Sequence, residues 1–352
     1  MAIPPAFSAD DGNYGCQILN RIASPRDILT AMDTILFVKT SSLGDVVHNM
    51  PAVTDTRRRW PRARISWLVE ETFAPLARLH PGVDEVLTVA TRRWRSRLLS
   101  LATWQEIAAT RRQLKARAFD RIVDAQGLIR SAWLARMPKG ELHGYDAKSI
   151  REPVATRFYD VRHAVPRDLH AVARNRRLAA LALDTDAAAP LDYGLPRPAP
   201  AAGGDVPYAV LLHGTSRVAK EWRESDWIGL GQWLSRRGLE VVLPWGTEAE
   251  RIRAERVAGA IKGGRVLPRR PLDETAAMLA GAALVAGVDT GLLHLAAAYR
   301  VPLIGIFTAS DPGLTGPVGA GPIAVLGGVG QYPGFARAIE AAEALLADRA
   351  RG

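Results

Sequence analysis

One cysteine, Cys16, stands in 352 residues, so no internal disulfide can form and the composition suits a reducing compartment. No apolar run approaches the ~20 residues that a membrane-crossing helix needs, and the first residues lack the basic-then-apolar order of an export signal. A cytoplasmic location is therefore expected. The first strand is not followed by G-x-G-x-x-G with an acidic residue in the usual place, and there is no P-loop, which leaves nicotinamide and P-loop enzymes poorly supported. No Cys/His or paired-carboxylate spacing reads as a metal site, so neither a metal nor a cofactor is expected. Short internal repeats, coiled coils and low-complexity tracts are also missing.

What is present is a net charge of +10, carried mostly by arginine. Such a charge fits an acidic partner: nucleic acid, phosphorylated lipid or an anionic membrane face. The rest of the chain is organised around Ile35–Met50. Ile35 to Val38 reads as a short strand buried on both faces, Lys39 to Asp45 as a loop of small residues, and a helix is expected from about Val46. A strand, loop and helix in an α/β layout put the loop at the carboxyl edge of the sheet, where ligands bind. Asp45 is thus a candidate for chemistry, and equally a helix cap.

Strands and helices alternate from there, through Val46 to Trp60, Arg64 to Val69, Val83 to Val89, Leu101 to Ala118 and Arg121 to Asp124. A helix over His170 to Leu183 ends the first series, and Asp184 to Pro207, rich in Ala, Pro, Gly and Asp, reads as a linker. A second series follows, with strands at Tyr208 to Leu212, Glu240 to Pro244, Ala283 to Gly287 and Val301 to Phe307. The expected division is an N-terminal extension without stable order (1–31), a first Rossmann-like domain (32–185), a linker (186–207), a second Rossmann-like domain (208–332) and a C-terminal helix (333–352) that packs back on the first domain. Met32, directly ahead of the first buried strand, reads as the functional start.

Three loops of the second half suit a nucleotide. His213 to Lys220 offers the Thr215 and Ser216 hydroxyls and the Lys220 ammonium, a set fit for pyrophosphate, though a lone lysine is more often a solvated charge. Glu250, after Pro244-Trp245-Gly246-Thr247, is a candidate for a ribose hydroxyl or an ordinary helix-start glutamate. Gly287 to His294 follows a strand and opens a helix whose N-terminus favours negative charge. There Asp289 can accept from sugar or nucleotide hydroxyls, while His294 alone reads as packing on the first turn.

Seven segments in order carry a resemblance: Val-Lys-Thr-Ser-Ser-Leu-Gly-Asp-Val-Val-His (38–48), Trp-Leu-Val-Glu-Glu (67–71), Arg-Arg-Trp-Arg (92–95), Asp-Ala-Gln-Gly-Leu (124–128), Arg-Glu-Pro (151–153), Leu-Pro-Trp-Gly (243–246) and Val-Asp-Thr-Gly-Leu-Leu-His (288–294). Each is weak alone. Together they resemble the lipopolysaccharide heptosyltransferases of glycosyltransferase family 9, from Met32 to the C-terminus, and the type I members more than the type II. The resemblance implies an α/β GT-B fold of two Rossmann-like domains facing a cleft. It implies inverting transfer of L-glycero-D-manno-heptose from ADP-heptose to the Kdo of Kdo2-lipid A. Asp45 would be the general base, and Thr215, Ser216, Lys220, Glu250, Asp289, Thr290, Gly291 and His294 the donor contacts. The enzyme would be a monomer that touches the anionic cytoplasmic face of the inner membrane peripherally. Arg92, Arg93 and Arg95 would pair with acceptor carboxylates and phosphates, with Trp94 shielding the contact or touching the lipid-proximal surface.

The chain departs from the family pattern in three places: residues 1–31 have no counterpart, Ser216 stands for a second threonine, and Arg270 stands for a methionine near the nucleotide. Two other readings stay open. One is a sugar-nucleotide transferase with a different donor or acceptor; the other is a nucleic-acid-binding protein using Arg57 to Arg64 and Arg92 to Arg97. The second has no known nucleic-acid motif behind it, so nucleic acid is not the expected partner.

Overall fold

A computed structural model describes residues 32–198 and 206–351, and what was expected of residues 1–31 lies outside them. The first half runs β1 (Thr34–Val38), α1 (Leu43–Arg59), β2 (Arg64–Glu70), α2 (Ala74–Arg78), β3 (Glu85–Val89), α3 (Thr91–Ser96), α4 (Leu101–Lys115), β4 (Ala118–Asp124), α5 (Ile129–Ala135), β5 (Lys139–Tyr145), β6 (Val161–His163) and α6 (Ala171–Leu183). The second runs β7 (Tyr208–Leu212), α7 (Glu224–Arg236), β8 (Glu240–Leu243), α8 (Glu248–Gly259), β9 (Gly264–Val266), α9 (Leu272–Gly281), β10 (Leu284–Val288), α10 (Gly291–Ala298), β11 (Leu303–Phe307), α11 (Pro312–Thr315), β12 (Ile323–Gly327) and α12 (Phe335–Arg351).

Each half holds one six-stranded sheet, ordered β3-β2-β1-β4-β5-β6 and β9-β8-β7-β10-β11-β12. Both are parallel throughout. This is the doubly wound order, present twice, and it is the pair of Rossmann-like units expected for a GT-B fold. β1 lies at the centre of its sheet, with Ile35 opposite Ile65 on one side and Arg121 on the other. Ile35 to Val38 are fully buried, as a strand covered by helices on both faces must be.

α1 begins three residues earlier than its hydrophobic pattern alone indicates, because Ser42 at the N-cap and Asp45 in the first turn extend it. The tail required a correction. α12 does not return to the first half: Ala338, Ala342 and Leu345, at i, i+4 and i+7, bury against the face of the second sheet beside Trp227 and Leu230. β5, β6, β9 and β12 carry no clear strand pattern in the sequence. Lys139–Tyr145 and Val161–His163 carry charged and small residues with no clear alternation, and they are strands only because a buried neighbour offers its hydrogen bonds.

Candidate active site

In a doubly wound sheet the ligand crevice opens where the strand order reverses, here between β1 and β4 in the first half and between β7 and β10 in the second. The four loops at those two points, with the helix starts that follow them, span Lys39–Asp45, Ala125–Leu128, His213–Lys220 and Asp289–Gly291. Both switch points therefore present the segments that the sequence singled out.

Asp45 sits in the first turn of α1 with its side chain 41% exposed. Its Oδ2 accepts from the Ser42 backbone N–H at 2.7 Å and the Ser42 hydroxyl at 3.1 Å. The carboxylate therefore caps the helix and still faces outward, so the two readings of Asp45 are compatible. Its Oδ1 lies 3.9 Å from Nζ of Lys39, which the sequence reading left without a role. That ammonium is buried and donates to the Ala125 carbonyl at 2.7 Å. Desolvation lowers its proton affinity, with Asp45 and Asp124 opposing the shift. Gln126 Oε1 accepts from the N–H groups of Thr40 and Ser41, each at 3.0 Å, and holds the loop. Asp124, fully buried and pushed up by burial, caps the neighbouring loop through the N–H of Gln126 and the Ser131 and Tyr159 hydroxyls. Only the fold makes these supports visible, since Lys39 and Gln126 are 87 residues apart in the chain.

In the second half, Lys220 Nζ meets Asp289 Oδ2 at 2.5 Å, and the Ser310 hydroxyl donates to the same oxygen at 2.7 Å. Thr215 donates to the Asp289 carbonyl at 3.0 Å, which ties the two loops together. Thr290 is the N-cap of α10 and Gly291 its first residue. Ser216 is exposed. Glu250 completes a capping box on α8: its Oε2 accepts from the N–H groups of Gly246 (2.7 Å) and Thr247 (3.0 Å), and it packs so closely on Gly214 that a Cβ there would stand 2.6 Å from Oε1. Glu250 and Thr290 also line a cavity of 320 Å³ with Leu43 and Phe73 from the first half and Trp245 and Arg270 from the second. A broader hollow of 1110 Å³ lies at the opposite edge of the second sheet, around Glu240 and Arg265, and faces none of these residues.

The halves meet at two glycines. A Cβ on Gly291 would stand 2.5 Å from Leu43 Cδ2 and 2.8 Å from the Gly44 nitrogen, so only hydrogen fits. His294, expected as a donor contact, packs in this seam. It is 3% exposed, and its ring lies 4.3 Å from that of His48 on α1. Burial pulls His294 down to about 4 and His48 well below the ordinary imidazole value.

The arginine segment divides. Arg93, expected as an acceptor contact, forks onto two carboxylates, Glu71 at 2.9 and 3.0 Å and Glu106 at 2.6 and 2.8 Å, and so braces loop to helix. Trp94 is buried in the first core. Arg92 and Arg95 are exposed, Arg92 lying over the Phe73 ring at the cavity wall. Arg57, Arg58, Arg59 and Arg64 pair with Asp84, Asp192, Asp184 and Glu85, which neutralises most of the first of the two stretches that a nucleic-acid reading needs. Among the described residues, no group of three or more His, Cys, Asp or Glu is arranged to hold a metal ion. Nor is any described helix long and apolar enough to cross a membrane.

The profile of glycosyltransferase family 9 (heptosyltransferase) matches residues 107–342. Lipopolysaccharide heptosyltransferase 1 of Pseudomonas aeruginosa is 46% identical over 288 residues, covering 81% of each chain. The Salmonella typhimurium protein of the same name is 43% identical, over 81% of this chain and 91% of that one. Among solved structures, the E. coli heptosyltransferase WaaC with ADP superposes with a TM-score of 0.81 at 38% identity, over 89% of this chain and 99% of that chain. With two doubly wound sheets, the singled-out loops at both switch points and these relatives, the chain belongs to glycosyltransferase family 9, the heptosyltransferases.

Proposed function

We propose that this chain transfers L-glycero-D-manno-heptose from ADP-heptose to the Kdo of Kdo2-lipid A, with inversion, at the cytoplasmic face of the inner membrane and as a monomer. The relatives named lipopolysaccharide heptosyltransferase 1, and a solved WaaC structure described with ADP-2-deoxy-2-fluoro heptose, 36% identical to this chain, support the donor and the pathway. The observation that carries the reading is that the exposed Asp45 carboxylate and the Lys220–Asp289 pair belong to loops meeting at the Gly44–Gly291 seam. Base and leaving-group site thus approach the donor from different halves.

In the reaction, a Kdo hydroxyl attacks the anomeric carbon of the heptose and gives its proton to Asp45. The bond from that carbon to the β-phosphate oxygen breaks on the opposite face, and ADP leaves with the electron pair. Direct displacement needs one base on the acceptor side. Charge growing on the pyrophosphate is met by the Lys220 ammonium and the N-terminal amides of α10, preset donors that need no metal. Thr215, Ser216 and Thr290 supply hydroxyls, and Gly291 a close backbone approach. Glu250, with one oxygen engaged in its cap, has the other for a ribose hydroxyl. Arg270 takes the position beside the nucleotide. Arg92 and Arg95 at the rim of α3 are left for acceptor carboxylates and phosphates.

A coupled assay of ADP release with ADP-heptose, with and without Kdo2-lipid A, tests the proposal. Release that requires both substrates is expected. Turnover of another sugar nucleotide at a higher kcat/KM, or none with this acceptor, would reject it.

A further inference from the structure

Helix α4 is nearly unpartnered: of its fifteen residues only Thr103 and Leu114 are buried. Its outer side begins with an apolar ridge formed by Leu98 and Leu99 in the preceding turn and Leu101 and Trp104 in the first turn, with Leu99 fully exposed and Leu101 73% exposed. Beside it, Ile129 and Trp133, four residues apart on α5, are also exposed. Trp104 and Trp133 line one groove of 540 Å³ with Ile107, and Arg111, Arg112 and Lys115 stand along it. α5 gives Ala132, Leu134 and Ala135 to the first core and α4 gives Leu114, so these outward apolar side chains are not needed to complete it, and such a patch marks a docking surface.

The charge around the patch identifies what docks there. Arg95, Arg97, Arg111, Arg112 and Lys115 are exposed, and none forms an ion pair with a described residue, unlike the arginines of α1, which are paired. Leucine and tryptophan on a face bordered by unpaired cations is the pattern of a helix lying in a membrane interface, its apolar side chains among acyl chains and its cations at anionic headgroups. We propose that the α4–α5 face seats the protein on an anionic lipid bilayer. The reading rests on the lipid-linked acceptor proposed above and deepens it. Arg93 braces Glu106 of α4 to Glu71, which adjoins the cavity-lining residues Thr72 and Phe73. The docked helix and the rim of the cleft are therefore one connected unit, and an acceptor head rising from the bilayer meets Arg92 and Arg95 without leaving it.

The test is co-sedimentation of the full chain with phosphatidylcholine vesicles, with and without phosphatidylglycerol. Binding should require phosphatidylglycerol and weaken with salt. Leu99→Glu with Leu101→Glu should weaken it by about tenfold or more, since burying each leucine alone is worth that much. Transfer of heptose to a water-soluble deacylated acceptor should stay at the parent level. Unchanged vesicle binding by the double variant overturns the proposal. So does a parent dimer that the same variant dissolves into monomers, because the face would then belong to a second copy. A measurement on the parent guards against misfolding: brominated acyl chains should quench its tryptophan emission, Trp104→Phe with Trp133→Phe should remove that quenching, and no quenching in the parent rejects the surface. If the parent transfers heptose to neither acceptor, the functional reading falls while the vesicle result still decides the docking face.

Discussion

Asp45 has two duties that one substitution separates. Asparagine keeps an oxygen for the Ser42 N–H and remains a good helix-start residue, but it cannot take a proton. Asp45→Asn should therefore cut kcat by about 10²-fold or more while melting temperature and donor Kd stay near the parent values. Loss of donor binding in calorimetry with the rate of bound substrate kept would make Asp45 a ligand or a cap only. Lys220 is coupled to its partner in a different way. Removing it leaves the Asp289 carboxylate, 12% exposed, with one hydroxyl beside an incoming pyrophosphate. Lys220→Ala should weaken donor binding and also slow the bound reaction, and an unchanged donor Kd would reject the site. At the rim, Arg92→Ala should raise the acceptor KM and flatten the salt dependence of kcat/KM. Arg93, already neutralised by Glu71 and Glu106, should act mainly on the stability of the α3–α4 brace.

At the scale of elements, the contact of the α1 and α10 N-termini is what brings the two switch points together. Gly291→Ala would put a methyl against backbone, the Gly44 nitrogen at 2.8 Å, which cannot rotate away as a side chain would. The expected cost is about 1–3 kcal/mol, with kcat falling more than donor affinity because base and donor are pushed apart. Gly259→Ala, with nothing within 4 Å of the added carbon, is the control. A Gly291→Ala enzyme with parent kcat and melting temperature would show that the seam yields freely. Elements with a strong apolar run, such as Ile35 to Val38 and Tyr208 to Leu212, were legible because their burial on two faces is written locally. The edge strands β6, β9 and β12 were not, because half of what makes them strands is the hydrogen bonding of a neighbour far along the chain.

For the whole molecule, acid should be the weakness. His80, His213 and His294 are drawn down to about 4, in each case chiefly by burial, and His48 is lowered for the same reason. Their ordinary value is about 6.5, so between there and the folded values the unfolded chain binds protons that the folded chain refuses. Stability is complete above the unfolded value, falls with pH through that window and levels off below the folded values. His80, His213 and His294 each contribute on the order of 1–3 kcal/mol. The melting temperature should drop steadily from about pH 7 to 5, and His294→Gln should flatten that slope. A parent with no slope would mean that these rings are accessible to water. The sequence by itself determined the two α/β series, the loops that lie at the switch points and the family, because motifs and buried strands are local patterns. Only the tertiary structure decided that Arg93 is a brace, that His294 closes a seam, that Lys39 backs Asp45 and that α4 stands bare. Each of those roles depends on which distant charge, ring or helix arrives beside the residue, and spacing along the chain carries no record of that.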